Sequence, residues 1–342
     1  MIRHIILFFV FFVSIYMPWT QLPSSTSDRE VSLNDFQKVT DLEIALGKDL
    51  SAKKPNLALK NVSIANGESL VKNGFATRVN GKETRIQSKH FVCTSCHNVE
   101  REDPSLAVND AQARLDYTNE KGLPYLQGTA LYGAINRSQY YNGDYFKKYG
   151  DLVFKARNDV REAIQLCAQE CAQGRKLADW ELESILAYLW SIGLQTKDLQ
   201  MSDADEAIVN KALTGNEEKS TAMMIVGSKY LDYSAATFVY PPDDRDKGNG
   251  LTGNKENGGL IYKNSCLHCH ENGKYSYLSL DETTMSKNYL KRNIGTYHRQ
   301  SIYQVVRWGV PVRNGKKSYM PQYPVEKLSE QQLADLVAFI ND

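Results

Sequence analysis

Cys93-Thr94-Ser95-Cys96-His97 reads C-x-x-C-H, the spacing at which two thiols can each form a thioether to a porphyrin vinyl group while the adjacent histidine is held under the iron. Such a spacing specifies a covalently attached cofactor. Cys266-Leu267-His268-Cys269-His270 repeats it, so the sequence predicts two haem c groups, with His97 and His270 as axial ligands to iron. His268 lies inside the second motif and is read as a spacer.

The flanks of the two motifs also repeat. Asn66-Gly-Glu-Ser-Leu-Val-Lys-Asn-Gly-Phe resembles Asn257-Gly-Gly-Leu-Ile-Tyr-Lys-Asn-Ser-Cys, and Leu177–Leu189 aligns without gaps to Leu328–Ile340. In the aligned pair, Leu182, Ile185, Leu186 and Leu189 match Leu333, Leu336, Val337 and Ile340, at the i, i+3, i+4, i+7 spacing of an amphipathic helix. Ser329 with Gln332 predicts a capping box, and Asp179 a cap for the earlier helix. One haem-binding unit has been duplicated. Each unit orders a helix, C-x-x-C-H, a variable middle and a second helix. That order resembles the class I cytochrome c fold and implies an all-α protein of two cytochrome c-like domains, each wrapped around one haem.

The chain divides accordingly into residues 1–25 as a signal peptide or N-terminal anchor, 26–196 as the first domain, 197–250 as a connector and 251–342 as the second domain. Ile5 to Met17 is an apolar run of 13 residues after the basic Arg3, short of the roughly 18 that a spanning helix needs. Export is therefore expected. A periplasmic or other extracytoplasmic location suits haem attachment, and membrane anchoring through the N-terminus stays open. Residues 26–66 read as a leader with a helix near Asn34–Leu46. The connector predicts helices at Ala204–Leu213 and Lys219–Leu231, packed on the cores because Met223, Met224, Ile225 and Val226 are too apolar for solvent. With 24% charged residues and a formal net charge of +1, nothing points to a nucleic-acid partner.

The sixth ligands differ between the halves. Met320, followed by Pro321 and preceded by Gly309-Val310-Pro311, sits where a class I cytochrome carries its methionine ligand; His298 is the competitor, read as a capping or surface residue. In the first half no methionine lies between His97 and Met201, and no histidine between His97 and His268. Alignment of the final helices sets Gln169 opposite Met320, bracketed by Cys167 and Cys171. Val160, Ala163, Ile164, Cys167 and Cys171 share one helix face, so one thiol is placed to reach the iron. A Cys167–Cys171 disulfide and an open five-coordinate haem are the other possibilities. A disulfide across one helical turn has awkward geometry.

Cys167-Ala-Gln-Glu-Cys171-Ala-Gln-Gly174-Arg175-Lys-Leu177 resembles the cysteine-ligand segment of di-haem thiosulfate dehydrogenases, in which a glycine follows the cysteine by seven residues. The resemblance implies Cys167 as the ligand. It also implies a small sulfur anion as a possible substrate, aided by nearby arginines, for which Arg157 and Arg161 are the candidates. The second cysteine and the 70 residues from His97 to Cys167 depart from that pattern. That span holds seven of the chain's 20 tyrosines, among them Tyr140, Tyr141, Tyr145 and Tyr149, suited to pack around a large cofactor or to form a lid.

Thiolate ligation lowers a haem's potential and methionine raises it, so electrons are expected to pass from the first haem to the second and on to a redox protein partner. Electron transfer is the expected function. A thiosulfate dehydrogenase-like oxidoreductase is the alternative, with Arg157 and Arg161 in an anion pocket as its mark. A di-haem peroxidase ranks last, because it expects a distal histidine or an accessible haem with a catalytic glutamate in the first domain, and no histidine follows His97 there.

Overall fold

Two glycines at corresponding places in the repeat set the architecture. A Cβ on Gly67 would lie 1.9 Å from the Ser184 carbonyl oxygen and 2.8 Å from Tyr188 Cβ; a Cβ on Gly258 would lie 2.0 Å from the Asp335 carbonyl oxygen and 2.8 Å from Phe339 Cβ. The repeat therefore extends into three dimensions. The computed structural model describes residues 31–215, 218–233, 236–297, 301–310 and 320–342. Residues 1–25, the expected signal or anchor, and His298 lie outside them, as do Pro311 and Tyr319 of the ligand loop.

The first unit contains α1 (Val39–Ala45), α2 (Ile64–Asn73), α3 (Ala111–Glu120), α4 (Tyr145–Tyr149), α5 (Val153–Ala156), α6 (Val160–Leu166) and α7 (Asp179–Ser191). The connector forms α8 (Asp203–Thr214) and α9 (Lys219–Ser228). The second unit contains α10 (Lys255–Ile261), α11 (Leu267–His270), α12 (Thr284–Lys291), α13 (Ile302–Trp308) and α14 (Glu330–Asn341). Among the described residues there is no β-strand, only isolated bridges such as Val310 with Met320. The fold is all-α and cytochrome c-like. No described helix is long and apolar enough to cross a membrane.

Glycine is required where α2 crosses α7 and where α10 crosses α14, because only a residue without a side chain lets the backbones approach this closely. Both crossing helices start alike. Ser63 Oγ accepts from Asn66 N at 3.1 Å, and Asn254 Oδ1 accepts from Asn257 N at 3.0 Å. The closing helices also correspond. Gln332 Oε1 accepts from Ser329 N at 3.0 Å while Ser329 Oγ accepts from Gln332 N at 3.1 Å, completing the expected capping box. At α7 the expected Asp179 cap is not formed. Ala178 occupies the cap position, Asp179 is the first helical residue, and Glu181 Oε2 accepts from Ala178 N at 2.8 Å.

Two further expectations change in detail. The helix expected over Asn34–Leu46 is broken at Phe36–Lys38, where Lys38 pairs with Gln195, and Val39 and Leu42 beyond the break are fully buried. This segment is core rather than leader. It packs with Val209 and Ala212 of α8, Ala222 and Val226 of α9, and Tyr230, so the connector rests on the first unit. Met224 is the exception, 67% exposed on the outer face of α9.

Gly67→Ala and Gly258→Ala are each expected to destabilise the protein by about 1–3 kcal/mol, the usual cost of forcing atoms into a packed contact. Gly227→Ala in α9, where a Cβ meets nothing within 4 Å, is expected to stabilise by about 0.5–1 kcal/mol. Thermal denaturation of the three variants checks the opposite signs. A Gly67→Ala protein as stable as Gly227→Ala would mean that the helices do not meet there.

Candidate functional site

The crossed helices α2 and α7 form one wall of a cavity of about 210 Å³, to which they contribute Leu70, Val71, Ile185 and Leu189. Cys93, Cys96 and His97 line the same cavity, with Cys167 and Cys171 and with Tyr140, Tyr141, Tyr145 and Tyr149. The motif and the thiol pair, 70 residues apart in sequence, thus share one enclosure.

Cys93 to Ser95 form a 3₁₀ turn that leads into His97. His97 Nδ1 bonds to the Thr129 carbonyl oxygen at 2.7 Å. Because a carbonyl only accepts, Nδ1 carries the proton and Nε2 is left with its lone pair, the tautomer of a metal ligand. A Cβ on Gly128 would fall 2.5 Å from His97 Nδ1, so a glycine is needed where this strap passes the ring. Burial lowers the His97 pKa despite the Thr129 bond, which keeps the imidazole neutral. Burial also pushes the Cys93 thiol up to about 11 and raises Cys96 further. Such thiols stay protonated and are poor free nucleophiles. Apolar walls, two half-buried thiols at the attachment spacing and a neutral imidazole with an available nitrogen are the donor set that a haem c requires.

The second motif has the same tautomer-fixing bond. His270 Nδ1 bonds to the Leu278 carbonyl oxygen at 2.9 Å, and burial lowers its pKa. Its cysteines are likewise raised by burial, Cys266 to about 12 and Cys269 to about 11. Here the motif continues α10 directly, through a widened π-turn over Tyr262–Cys266 into α11. His268 lies tilted against Tyr275, with 5.8 Å between ring centroids and 42° between the planes, and burial takes it down to about 4.

Met320 is half-buried and held by paired bonds, Val310 N to Met320 O at 2.9 Å and Met320 N to Val310 O at 3.2 Å. Gly309 permits this clasp with a φ of 68°, since a Cβ there would lie 2.0 Å from the Met320 carbonyl oxygen. The buried Arg307 guanidinium fixes the following stretch by donating to Leu328 O at 2.6 Å and Tyr323 O at 3.3 Å.

Beside α7 in the lining of the first cavity, α6 starts at an Asp159 cap and opens into a π-turn over Cys167–Cys171, closed by Ala172 N to Cys167 O at 2.8 Å. π-turns inside helices recur at functional sites. This one carries both thiols, which are free of any disulfide. Cys171 Sγ lies 3.5 Å from the Tyr149 hydroxyl and 3.6 Å from that of Tyr141. The two thiols hydrogen-bond to each other; Cys167 keeps the proton and is raised, whereas that bond and the tyrosines bring Cys171 down to about 6 against its burial. Gly174, seven residues after Cys167, packs where a Cβ would lie 2.4 Å from the Gln87 carbonyl oxygen, and Gln87 Nε2 donates to Ala168 O at 2.7 Å. That spacing pins the π-turn to the chain entering the first motif.

Neither expected arginine lines the cavity. Arg161 is engaged by Glu183, at 2.6 and 3.0 Å, and by the backbone of Ala52 and Lys54. Arg157 has its Nε buried without a hydrogen-bond partner. The cations that do approach the cavity are Arg137, which lines it, and Lys148, which bonds to Trp308 O at 3.0 Å and to the lining residue Gln322. Neither stands in any motif, so the sequence offered no signal for them.

Residues 253–340 match a family model described as cytochrome C oxidase, cbb3-type, subunit III. Comparison with curated proteins and with solved structures gives no match. A cytochrome c domain therefore occupies residues 253–340, and that domain supports covalently bound haem c, electron transfer and a redox protein partner.

Arg161→Ala is expected to leave the haem absorbance spectrum unchanged while costing about 1.5–3 kcal/mol, because the buried Glu183 carboxylate loses its charged donor. Visible spectroscopy with thermal melting checks both halves of this expectation. A spectral change without loss of stability would assign Arg161 to the cofactor instead.

Proposed function

We propose that the chain is an exported di-haem electron carrier. Cys93, Cys96 and His97 hold one haem c with Cys167 as sixth ligand, and Cys266, Cys269 and His270 hold the other with Met320. One observation carries this reading: both motif histidines donate Nδ1–H to a backbone carbonyl, at 2.7 and 2.9 Å, beside equivalent glycine-crossed helix pairs. Haem iron, when bound, takes up and releases single electrons at a potential lowered by thiolate and raised by methionine.

The chain's own residues orient and insulate. Thr129 and Leu278 fix the imidazole planes, the Val310–Met320 clasp presents the thioether, and the tyrosine wall keeps water from the first cavity. Cys171 Sγ, close to the hydroxyls of Tyr141 and Tyr149, is the more acidic thiol of the pair, and the choice of Cys167 as ligand rests on its seven-residue spacing to Gly174. With Cys167 and Met320 as the sixth donors, haems held at the two motifs would differ in potential in the sense that favours electron flow from the first unit to the second and on to a partner protein outside the cytoplasm.

A second reading, a thiosulfate dehydrogenase-like oxidoreductase, draws on the thiol pair that faces the cavity with Arg137 nearby. The placement of Arg157 and Arg161 outside that cavity favours the carrier.

A pyridine haemochrome assay is expected to give two haems per chain, falling to one in Cys93→Ser/Cys96→Ser and to one in Cys266→Ser/Cys269→Ser. A wild-type value of one would remove the two-centre reading. Electron paramagnetic resonance of the oxidised protein should show a narrow low-spin thiolate signal that Cys167→Ala abolishes and Cys171→Ala only shifts. Loss in Cys171→Ala alone would transfer the ligand to Cys171. Thiosulfate-driven reduction of an electron acceptor by wild type, lost in Cys167→Ala, would favour the oxidoreductase.

A further inference from the structure

Next to the supports of His97, outside the lining of the first cavity, lies a group of charges that neither haem motif explains. Glu102 is 1% exposed, Arg114 1% and Lys327 5%. Lys327 belongs to the second unit, yet its Nζ donates to Glu102 Oε1 at 3.1 Å, and Arg114 lies 3.4 Å from the same oxygen. The Glu102 carboxylate also accepts from Asn98 Nδ2 at 2.9 Å and from Ala130 N at 3.1 Å. Asn98 follows His97 in the chain, and Ala130 follows Thr129, whose carbonyl holds the His97 ring. The cluster is thus built onto both supports of the imidazole. Burial opposes charge on Glu102, but Lys327, Arg114 and Asn98 outweigh it and lower its carboxyl to about 2, so it is ionised.

We infer that Lys327 and Glu102 set the reduction potential of the first haem centre by opposite charges placed beside the supports of His97, so that the second unit tunes the first. The inference rests on the proposed haem at Cys93–His97. Reduction adds one negative charge at the iron. A buried cation therefore favours the reduced state and a buried anion the oxidised one, with little screening by solvent. Neither residue lines the first cavity, and both act as positioning residues through charge.

The test is a redox titration of the haem-loaded full chain, followed by the paramagnetic signal of each ferric centre, with haem content measured first. Lys327→Met is expected to lower the first centre's potential and Glu102→Gln to raise it, each by at least a threefold change in the reduction equilibrium measured against the second centre. A tenfold change corresponds to 59 mV for one electron. The Glu102→Gln/Lys327→Met double variant, which removes both charges, is expected to return near the wild-type value.

A purely structural role gives a different pattern, because loosening the cluster by either substitution admits water to the same place and moves both potentials the same way. Shifts of equal sign, or no shift in either single variant with haem content intact, would overturn the inference. A wild-type chain lacking haem at Cys93–Cys96 would instead overturn the reading on which it rests.

Discussion

The closeness of the helix backbones at Gly67 and Gly258 is the constraint from which the rest of the molecule follows. Van der Waals contact between α2 and α7 fixes how far apart the side chains one turn away can stand, and those side chains, Leu70, Val71, Ile185 and Leu189, are the cavity wall. A wider crossing would enlarge the cavity and detach the wall from the strap that holds His97. The same contact recurs between α10 and α14, where Gly258 meets Asp335 and Phe339 in place of Ser184 and Tyr188. The duplicated element is therefore a packing geometry. The attachment motif is free to approach it differently, by a 3₁₀ turn after a long excursion in the first unit and by a π-turn running straight out of α10 in the second.

The two units diverge around the residues proposed as their sixth ligands. A methionine ligand, as proposed for Met320, would need only a clasped loop, and the Gly309–Met320 crossing is such a loop. A cysteine ligand, as proposed in the first unit, would need polar groups that let the thiol pair hold negative charge inside an apolar enclosure. The π-turn brings two thiols to the same place, and tyrosine hydroxyls reach the second of them. The long span between His97 and Cys167 provides those tyrosines, with rings meeting edge to face at 5.3 Å for Tyr141 and Tyr145 and 6.2 Å for Tyr141 and Tyr149. Aromatic residues are suited to this because each combines a large apolar body with one hydrogen-bonding tip.

Much of this was legible in the sequence, for reasons that can be named. Periodicity and gap-free alignment exposed α7 and α14, because an amphipathic helix must repeat its apolar residues every three or four positions to bury one face. The Ser329–Gln332 cap was legible because its partners are three residues apart. The Asp179 cap was misplaced by one position, since Glu181 can close the helix start on Ala178 without a capping side chain. Met224 was read as buried from its apolar neighbours, whereas α9 buries only the face of Ala222 and Val226. Arg137, Lys148 and Lys327 were not legible at all. Their roles depend on contacts with distant segments, Lys327 with Glu102 across 225 positions, and no local pattern encodes such a meeting.

That meeting explains why the two units form one structure rather than two tethered ones. Burying Glu102, Arg114 and Lys327 costs desolvation that each pair repays only when its remaining polar atoms are satisfied. Arg114 meets this in part: its Nη2 donates to Leu126 O at 3.0 Å in its own unit and to Lys327 O at 2.8 Å in the other, and its guanidinium lies 4.1 Å above the Tyr125 ring, while its Nε is buried without a hydrogen-bond partner. Separating the units would leave Glu102 and Arg114 short of partners in a dry place, so the junction favours a single register. The segment that lines it, Tyr125 to Gly128, also connects the two motifs. Gly128 N bonds to Cys96 O at 3.0 Å, while Tyr125 N bonds to Asn264 O at 2.8 Å, two residues before Cys266. Four residues and two hydrogen bonds therefore span from one attachment motif to the other, and the charges that hold this span in register are the same ones that lie beside His97.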